Sequence, residues 1–178
     1  MAAAPGRAES GRERLVLLLQ RMAEQLPRGI DWRFCRFGEL SPVELARIYQ
    51  ARQQVFSIEQ QCIYLDADGA DEVSHHLAAW SPAHAIPLAY ARLVNPGGKY
   101  AEPSIGRVIT TAPARGLGLG RELVRRMIEH SALVHPRMAI RISAQERLAR
   151  FYADFGFVAI GSPYMEDGIA HLEMLRPE

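Results

Sequence analysis

Lysine is nearly missing from this chain: Lys99 is the only one among 178 residues, so almost all of the positive charge is arginine. Arginine offers a planar fork suited to phosphates and carboxylates. An excess of one sign is also missing, since 21 Lys+Arg meet 20 Asp+Glu for a formal net charge of +1. That balance gives no overall field to draw the protein to nucleic acid or to an acidic membrane. Cysteine is scarce: Cys35 and Cys62 stand in no CxxC or metal-ligand spacing, so neither a disulfide framework nor a zinc site is implied. Two reduced thiols fit a cytoplasmic protein. No apolar run approaches the roughly 18 residues of a membrane span; residues 15–19 form the longest candidate. Glu9 and Glu13 interrupt the N-terminal arginines, and no apolar stretch with a cleavage site follows, so a cytoplasmic location is the expectation.

Hydrophobic residues make up 48% of the chain, enough for one folded domain of ordinary size with a sizeable core. Residues 1–30 read as a tail and an added helix: Ser10 and Glu13 form a capping box, and Leu15, Leu18, Leu19, Met22 and Leu26 follow at helical spacing. Residues 31–178 read as the main domain. Residues 32–37 alternate like a half-buried strand, and Ser41-Pro42 with Glu44 caps a helix whose apolar side includes Ile48, Val55 and Phe56. An acidic turn spans residues 66–71. Strands are expected at 76–80, 88–94 and 105–111, then a helix to about Val134 with Leu119, Leu123, Val124, Met127 and Ile128 turned inward. A short strand at 139–143, a helix at 146–155 ended by Gly156, and a closing pair of strands at 157–160 and 171–175 complete the pattern. Alternating elements in the middle and antiparallel ends predict an α/β fold: a central mixed sheet flanked by helices.

The chemistry concentrates where the strand at 105–111 meets the following helix. Arg115, Gly116, Leu117, Gly118, Leu119, Gly120 and Arg121 join the two. The first turn of a helix leaves amides without partners and carries partial positive charge. Glycines let a ligand come close to those amides, and consecutive amides can form an anion nest. A P-loop is excluded because no Gly-Lys-Ser/Thr follows four residues after a glycine, and the GxGxG spacing is not the Rossmann GxGxxG. The plainer reading is a loop that needs flexible joints. A strand before, a helix after and an arginine on each side favour a pyrophosphate cradle.

The pattern Arg115-x-x-Gly118-x-Gly120 resembles that of the GNAT acetyltransferase superfamily. Phe151-Tyr152-Ala-Asp-Phe-Gly156-Phe157 is similar to a later stretch of the same superfamily. The likeness is closer to its ElaA-like branch of acyltransferases. It is carried by Arg52-x-x-Val55-Phe56-x-x-Glu59-Gln60, Asp66-x-Asp68-Gly69-x-Asp71, Ile105-Gly-Arg-Val-Ile109 and Glu166-Asp-Gly-Ile-x-His171, and covers roughly residues 32–175. The resemblance implies a GNAT-like fold and transfer of an acetyl group from acetyl-CoA to a small-molecule or peptide amine. It implies that the backbone of Val108, Ile109 and Thr110 bonds the pantetheine amides and that residues 116–121 hold the pyrophosphate. Gln145 stands where many members have an asparagine that bonds the cofactor arm. Tyr152 stands where a tyrosine protonates the departing thiolate.

For an amine to attack a thioester it must be neutral, the oxyanion must be stabilised and the thiolate must leave. A phenol is a plausible donor to that thiolate, and core packing is the alternative role of Tyr152. The base has several candidates in the branch-like stretches: Glu59, His75, His76, Glu166 and His171, with Glu59 and His76 foremost. His76, on an apolar strand, reads more often as a bonded core residue. Arg107 alternates with Ile105 and Ile109 on one strand face and needs an acidic partner such as Glu59, or faces the substrate. Asp66, Asp68 and Asp71 resemble part of a calcium loop, but the bidentate glutamate further on is missing, so no metal is expected. A cysteine intermediate is disfavoured because Cys62 has no local histidine partner. The rival function is a non-catalytic acyl-CoA-binding sensor or interaction module. No nucleic acid or membrane partner is expected, and a homodimer stays open.

Overall fold

The computed structural model describes residues 29–178. The helix expected over residues 10–26 lies outside them. The first strand, β1 (Asp31–Arg36), leads to α1 (Pro42–Gln53). The capping box at its start is formed: Ser41 Oγ accepts from the Glu44 N–H at 3.2 Å, and Glu44 Oε2 accepts from the Ser41 N–H at 2.8 Å. The apolar side expected to run through Val55 and Phe56 does so in a different geometry. Residues Gln54–Glu59 continue α1 as a π-helical turn, a widening of the helix often seen beside functional sites.

The remaining elements are β2 (Ser74–Trp80), β3 (Ala89–Val94), β4 (Ser104–Thr110), α2 (Leu119–Val134), β5 (Ile140–Gln145), α3 (Ala149–Ala153), β6 (Val158–Ala159), β7 (Tyr164–Glu166) and β8 (Ile169–Arg176). They form one sheet in the order β1-β2-β3-β4-β5-β8-β6, with β7 paired to β8. All pairings are antiparallel except β4 with β5. The mixed sheet expected from the sequence is therefore present. The helix expected over 146–155 begins as a short 3-10 turn and becomes α-helical only at Ala149. Strand β7, which makes a hairpin with β8 through Asp167 and Gly168, was not expected: it is three residues long and too short for a periodic signal.

Strand alternation sends side chains to two cores. Leu77, Ala79, Ala91 and Leu93 pack with Leu119, Leu123, Val124 and Met127 of α2, while Ala78, Tyr90 and Ile109 pack with Ile48, Ala51 and Val55 on the α1 side. Each fully buried leucine contributes about 1.5–3 kcal/mol of transfer free energy, so the four inward positions of α2 anchor its N-terminus firmly beside β4. Strand β4 is bulged: the register with β3 shifts between Tyr90 and Arg92, and Arg107 takes a left-handed backbone (φ 53°). The bulge changes the expected alternation. Ile105 faces the α2 core and Ile109 the α1 core, so they do not share a face with Arg107 between them.

Candidate active site

Parallel pairing of β4 and β5 is limited to Ser104 opposite Arg141, at the start of both strands. Beyond that point the strands part. A cleft of about 350 Å³ opens between them, lined by Arg107 and Val108 on one side and by Ser143 and Gln145 on the other. Along this stretch β4 remains paired to β3, so its β5-facing edge offers backbone groups that no strand occupies. An extended amide-bearing chain can pair with such an edge.

The glycine-rich turn stands at the end of β4. Gly116 (φ 75°) and Gly118 (φ 79°) are left-handed, a conformation that glycine adopts without cost. Gly118 is the N-cap of α2 and provides no side-chain cap. Among the described residues, the backbone N–H groups of Gly116, Leu117, Gly118, Leu119 and Gly120 have no hydrogen-bond acceptor. Open amides at a helix start can receive an anion. Both flanking arginines are half-exposed and engaged. Arg115 donates to Glu59 and to the Thr110 carbonyl, at 3.1 Å for the latter. Arg121 bonds Asp154 at 2.9 Å and stacks over Phe155 at 5.0 Å. Exposed pairs of this kind are worth at most about 1 kcal/mol, so a phosphate can displace the carboxylates.

Tyr152 projects from α3 into the cleft from the α2 side of the sheet. Its ring meets Phe151 and Phe157 edge-on, and only 6% of the residue is exposed. Packing and the cleft are thus both part of its surroundings. Among the described residues its hydroxyl has no hydrogen-bond partner, while burial pushes its pKa up to about 12. It is a phenol held in its acid form. Gln145 crosses the mouth of the cleft: its amide donates to Gln60 Oε1 at 3.1 Å and its oxygen accepts from Arg147 at 2.7 Å.

The acidic turn and the arginines explain one another. Arg52 bonds Asp66 (2.7 Å) and Asp71 (2.8 Å), Arg92 bonds Asp71 (2.9 Å) and Asp68 (2.7 Å), and Arg107 bonds Asp68 (3.0 Å) and forms an ion pair with Asp66 (2.7 Å). The six side chains close a ring of alternating sign and zero net charge. Arg52, in the last turn of α1, is fully buried, and Arg107 and Asp68 reach the cleft. Burial alone would raise the Asp68 carboxyl, but Arg92, the Ala70 N–H and Arg107 hold it well below the usual carboxylate range. Arg107 thus has its partners in Asp66 and Asp68 rather than Glu59. The aspartates serve arginines, and no metal-ligand cluster occurs among the described residues. Arg92 was not foreseen because strand 88–94 reads as apolar; its signal is one charge inside a buried strand, with an acid-rich turn upstream.

The structure does not bring the foremost base candidates together at the cleft. His76 is 1% exposed, with Nδ1 at 2.7 Å from Tyr90 Oη and Nε2 at 3.0 Å from the Asp71 carbonyl. It lies beside the charge ring with both nitrogens engaged, so the expectation that it acts as a base is revised to a structural role. Glu59 is held by Arg115 beside the glycine-rich turn. His75 stacks on Phe34 at the far end of the sheet, next to His135. Cys62 lines the cleft but is buried, and its thiol faces the Gln60 carbonyl at 3.7 Å.

The parted strands and the open helix start share one end of β4. Residues 52–176 match the profile of the acetyltransferase (GNAT) domain. UPF0039 protein sll0451 of Synechocystis sp. is 43% identical over 146 residues, covering 82% of this chain and 94% of that protein. Protein ElaA of Escherichia coli is 34% identical over 149 residues, covering 83% and 96%; its crystal structure superposes with a TM-score of 0.77. The crystal structure of an acyl-CoA N-acyltransferase from Pseudomonas aeruginosa is 37% identical, with a TM-score of 0.79 over 83% of this chain and 99% of that one. The chain belongs to the GNAT acetyltransferase family, in its ElaA-like branch. It is an N-acetyltransferase that draws on an acyl-CoA cosubstrate and an amine acceptor. No helix among the described residues is long and apolar enough to cross a membrane.

Proposed function

We propose that the protein transfers an acetyl group from acetyl-CoA directly to the nitrogen of a small-molecule or peptide amine. The observation that carries this reading is the row of five open amides, residues 116–120, at the end of a strand whose own edge is free. The pyrophosphate rests on those amides, with Arg115 and Arg121 beside it. The pantetheine arm pairs with the backbone of Val108, Ile109 and Thr110, and Gln145 closes over it from β5. A β4 amide in this stretch meets the oxyanion as the amine attacks the carbonyl carbon. The new C–N bond forms, the C–S bond breaks, and Tyr152 protonates the leaving sulfur. Glu59 fixes Arg115 in place. Two free, buried cysteines agree with a cytoplasmic site of action.

The test is thiol release from acetyl-CoA with ethylamine, putrescine, lysine and peptide N-termini, with the acetylated product identified by mass spectrometry. Turnover with any of these supports the reading. Tight coenzyme A binding without turnover on a broad amine panel would instead favour a sensor that kept the cradle alone.

A further inference from the structure

We propose that His171 is the general base of this transfer, a step that rests on the acyl-transfer reading of the cleft. His171 lies on β8, directly opposite Gln145 at the tip of β5, and its ring lines the cleft. Its Nδ1 is 2.9 Å from the carbonyl oxygen of Ile169. A carbonyl oxygen only accepts, so Nδ1 carries the proton of the neutral imidazole and the lone pair is left on Nε2. Among the described residues Nε2 has no hydrogen-bond partner. The backbone of β8 therefore fixes both the orientation and the tautomer of a base that faces the substrate.

The other candidates are committed elsewhere. Glu59 bonds Arg115, and both nitrogens of His76 are occupied. Glu166 accepts from Ser143 at 3.2 Å and lies 3.9 Å from Lys99. Several charged and titratable groups lie near the His171 ring. The ring of Tyr164 on β7 is 6.2 Å from it; Glu166 of β7, Asp167 of the hairpin turn and Arg147 line the same cleft; and Glu173 on β8 is tied to Arg141. Glu166 and Asp167 in the cleft lining favour the approach of an ammonium. His171 takes one proton from the acceptor nitrogen, Tyr152 gives one to the thiolate, and solvent restores both between turnovers. One face of the sheet supplies the base and the other the acid, with the thioester in the gap.

His171→Asn tests this, because the asparagine amide can still donate to the Ile169 carbonyl while the lone pair of Nε2 is lost. Expected are a kcat/KM lower by roughly 10²–10⁴ for the amine, an unchanged affinity for coenzyme A, loss of the acidic limb of the pH–rate profile and partial rescue by added imidazole. Unchanged kcat/KM with the acidic limb intact would overturn the assignment. A second measurement needs no acceptor: nitrogen-15 NMR of the free protein at mildly alkaline pH should show His171 as the Nδ1–H tautomer, and an Nε2–H tautomer would overturn it equally. Failure of the wild type to bind coenzyme A sinks the reading of the cleft instead, and is told apart by calorimetry.

Discussion

Asp71 Oδ1 accepts from Arg52 Nη1 at 2.8 Å, and the same oxygen accepts from Arg92 Nη1 at 2.9 Å. One carboxylate oxygen thus joins α1 to β3 beneath the cleft. Burial alone would raise the Asp71 carboxyl, but Arg52 and then Arg92 outweigh it and hold it below the ordinary range.

Asp71→Asn keeps the shape and removes the charge, leaving two buried guanidiniums short of a counterion. Removing one partner from a buried ion group costs about 3–5 kcal/mol, and a loss of that size should appear in the denaturant midpoint. The sign with pH follows from the lowered carboxyl. Its stabilisation is fully present above the unfolded value of about 3.9. It fades as pH falls from there towards the lower folded value. The asparagine variant should therefore lose less stability than the wild type on acidification through this window. Equal acid slopes in the two proteins would show that Asp71 is not held in this way.

Gly118→Leu should remove coenzyme A binding while the domain stays folded. The left-handed backbone (φ 79°) costs a substituted residue about 1 kcal/mol, which a core of this size tolerates. A side chain at the N-cap of α2 also stands where a phosphate must approach the open amides. Calorimetry should show affinity reduced by at least about 100-fold, the scale of a lost charge-assisted contact set. Unaltered affinity would contradict the cradle.

The glycine-rich turn between strand and helix was legible in the sequence because it depends on local backbone: Gly118 and Gly120 sit between a β-branched strand and an amphipathic helix, and both features leave a pattern in the chain. Tyr152 was placed near the cleft by its family-like stretch. The charge ring was only half legible. Asp66, Asp68, Asp71, Arg52 and Arg107 stood out, but pairing them requires knowing that β3 and β4 lie under α1, which periodicity does not say. The bulge at Arg107 was hidden for the same reason, since an extra residue in one strand is defined only by its partner. His76 misled because a histidine on an apolar strand looks alike whether its ring nitrogens end on Tyr90 and Asp71 or point to a substrate.

Arg121 separates phosphate binding from surface pairing. It bonds Asp154 at 2.9 Å while standing beside the nest. Arg121→Gln should weaken coenzyme A binding by roughly 3–30-fold, the range of one charge-assisted contact in a solvated site, and should lower the salt dependence of binding. Asp154→Asn frees the guanidinium and should leave affinity unchanged or improve it. If Arg121→Gln alters melting temperature but not affinity, the arginine serves Asp154 and Phe155 alone.

Tyr152→Phe bears on the chemical step itself. The phenol is buried among Phe151 and Phe157, so the ring of the variant should fill the same space and the melting temperature should hardly change. Affinity for coenzyme A should be kept, because the binding amides lie in another segment. Turnover should fall by roughly 10²–10⁴, the contribution of a positioned general acid, and the fall should appear in kcat, where an interaction made in the transition state is felt. Because burial pushes the pKa of Tyr152 up to about 12, the acid stays protonated through the usual assay range. The deficit of the variant should therefore be the same at neutral and mildly alkaline pH. A leaving group that needs no proton supplies the control. With an acetyl thioester of a low-pKa aryl thiol in place of acetyl-CoA, the difference between the two enzymes should shrink. If Tyr152→Phe turns over acetyl-CoA as fast as the wild type, the hydroxyl has no part in expelling the thiolate and the tyrosine is a packing residue.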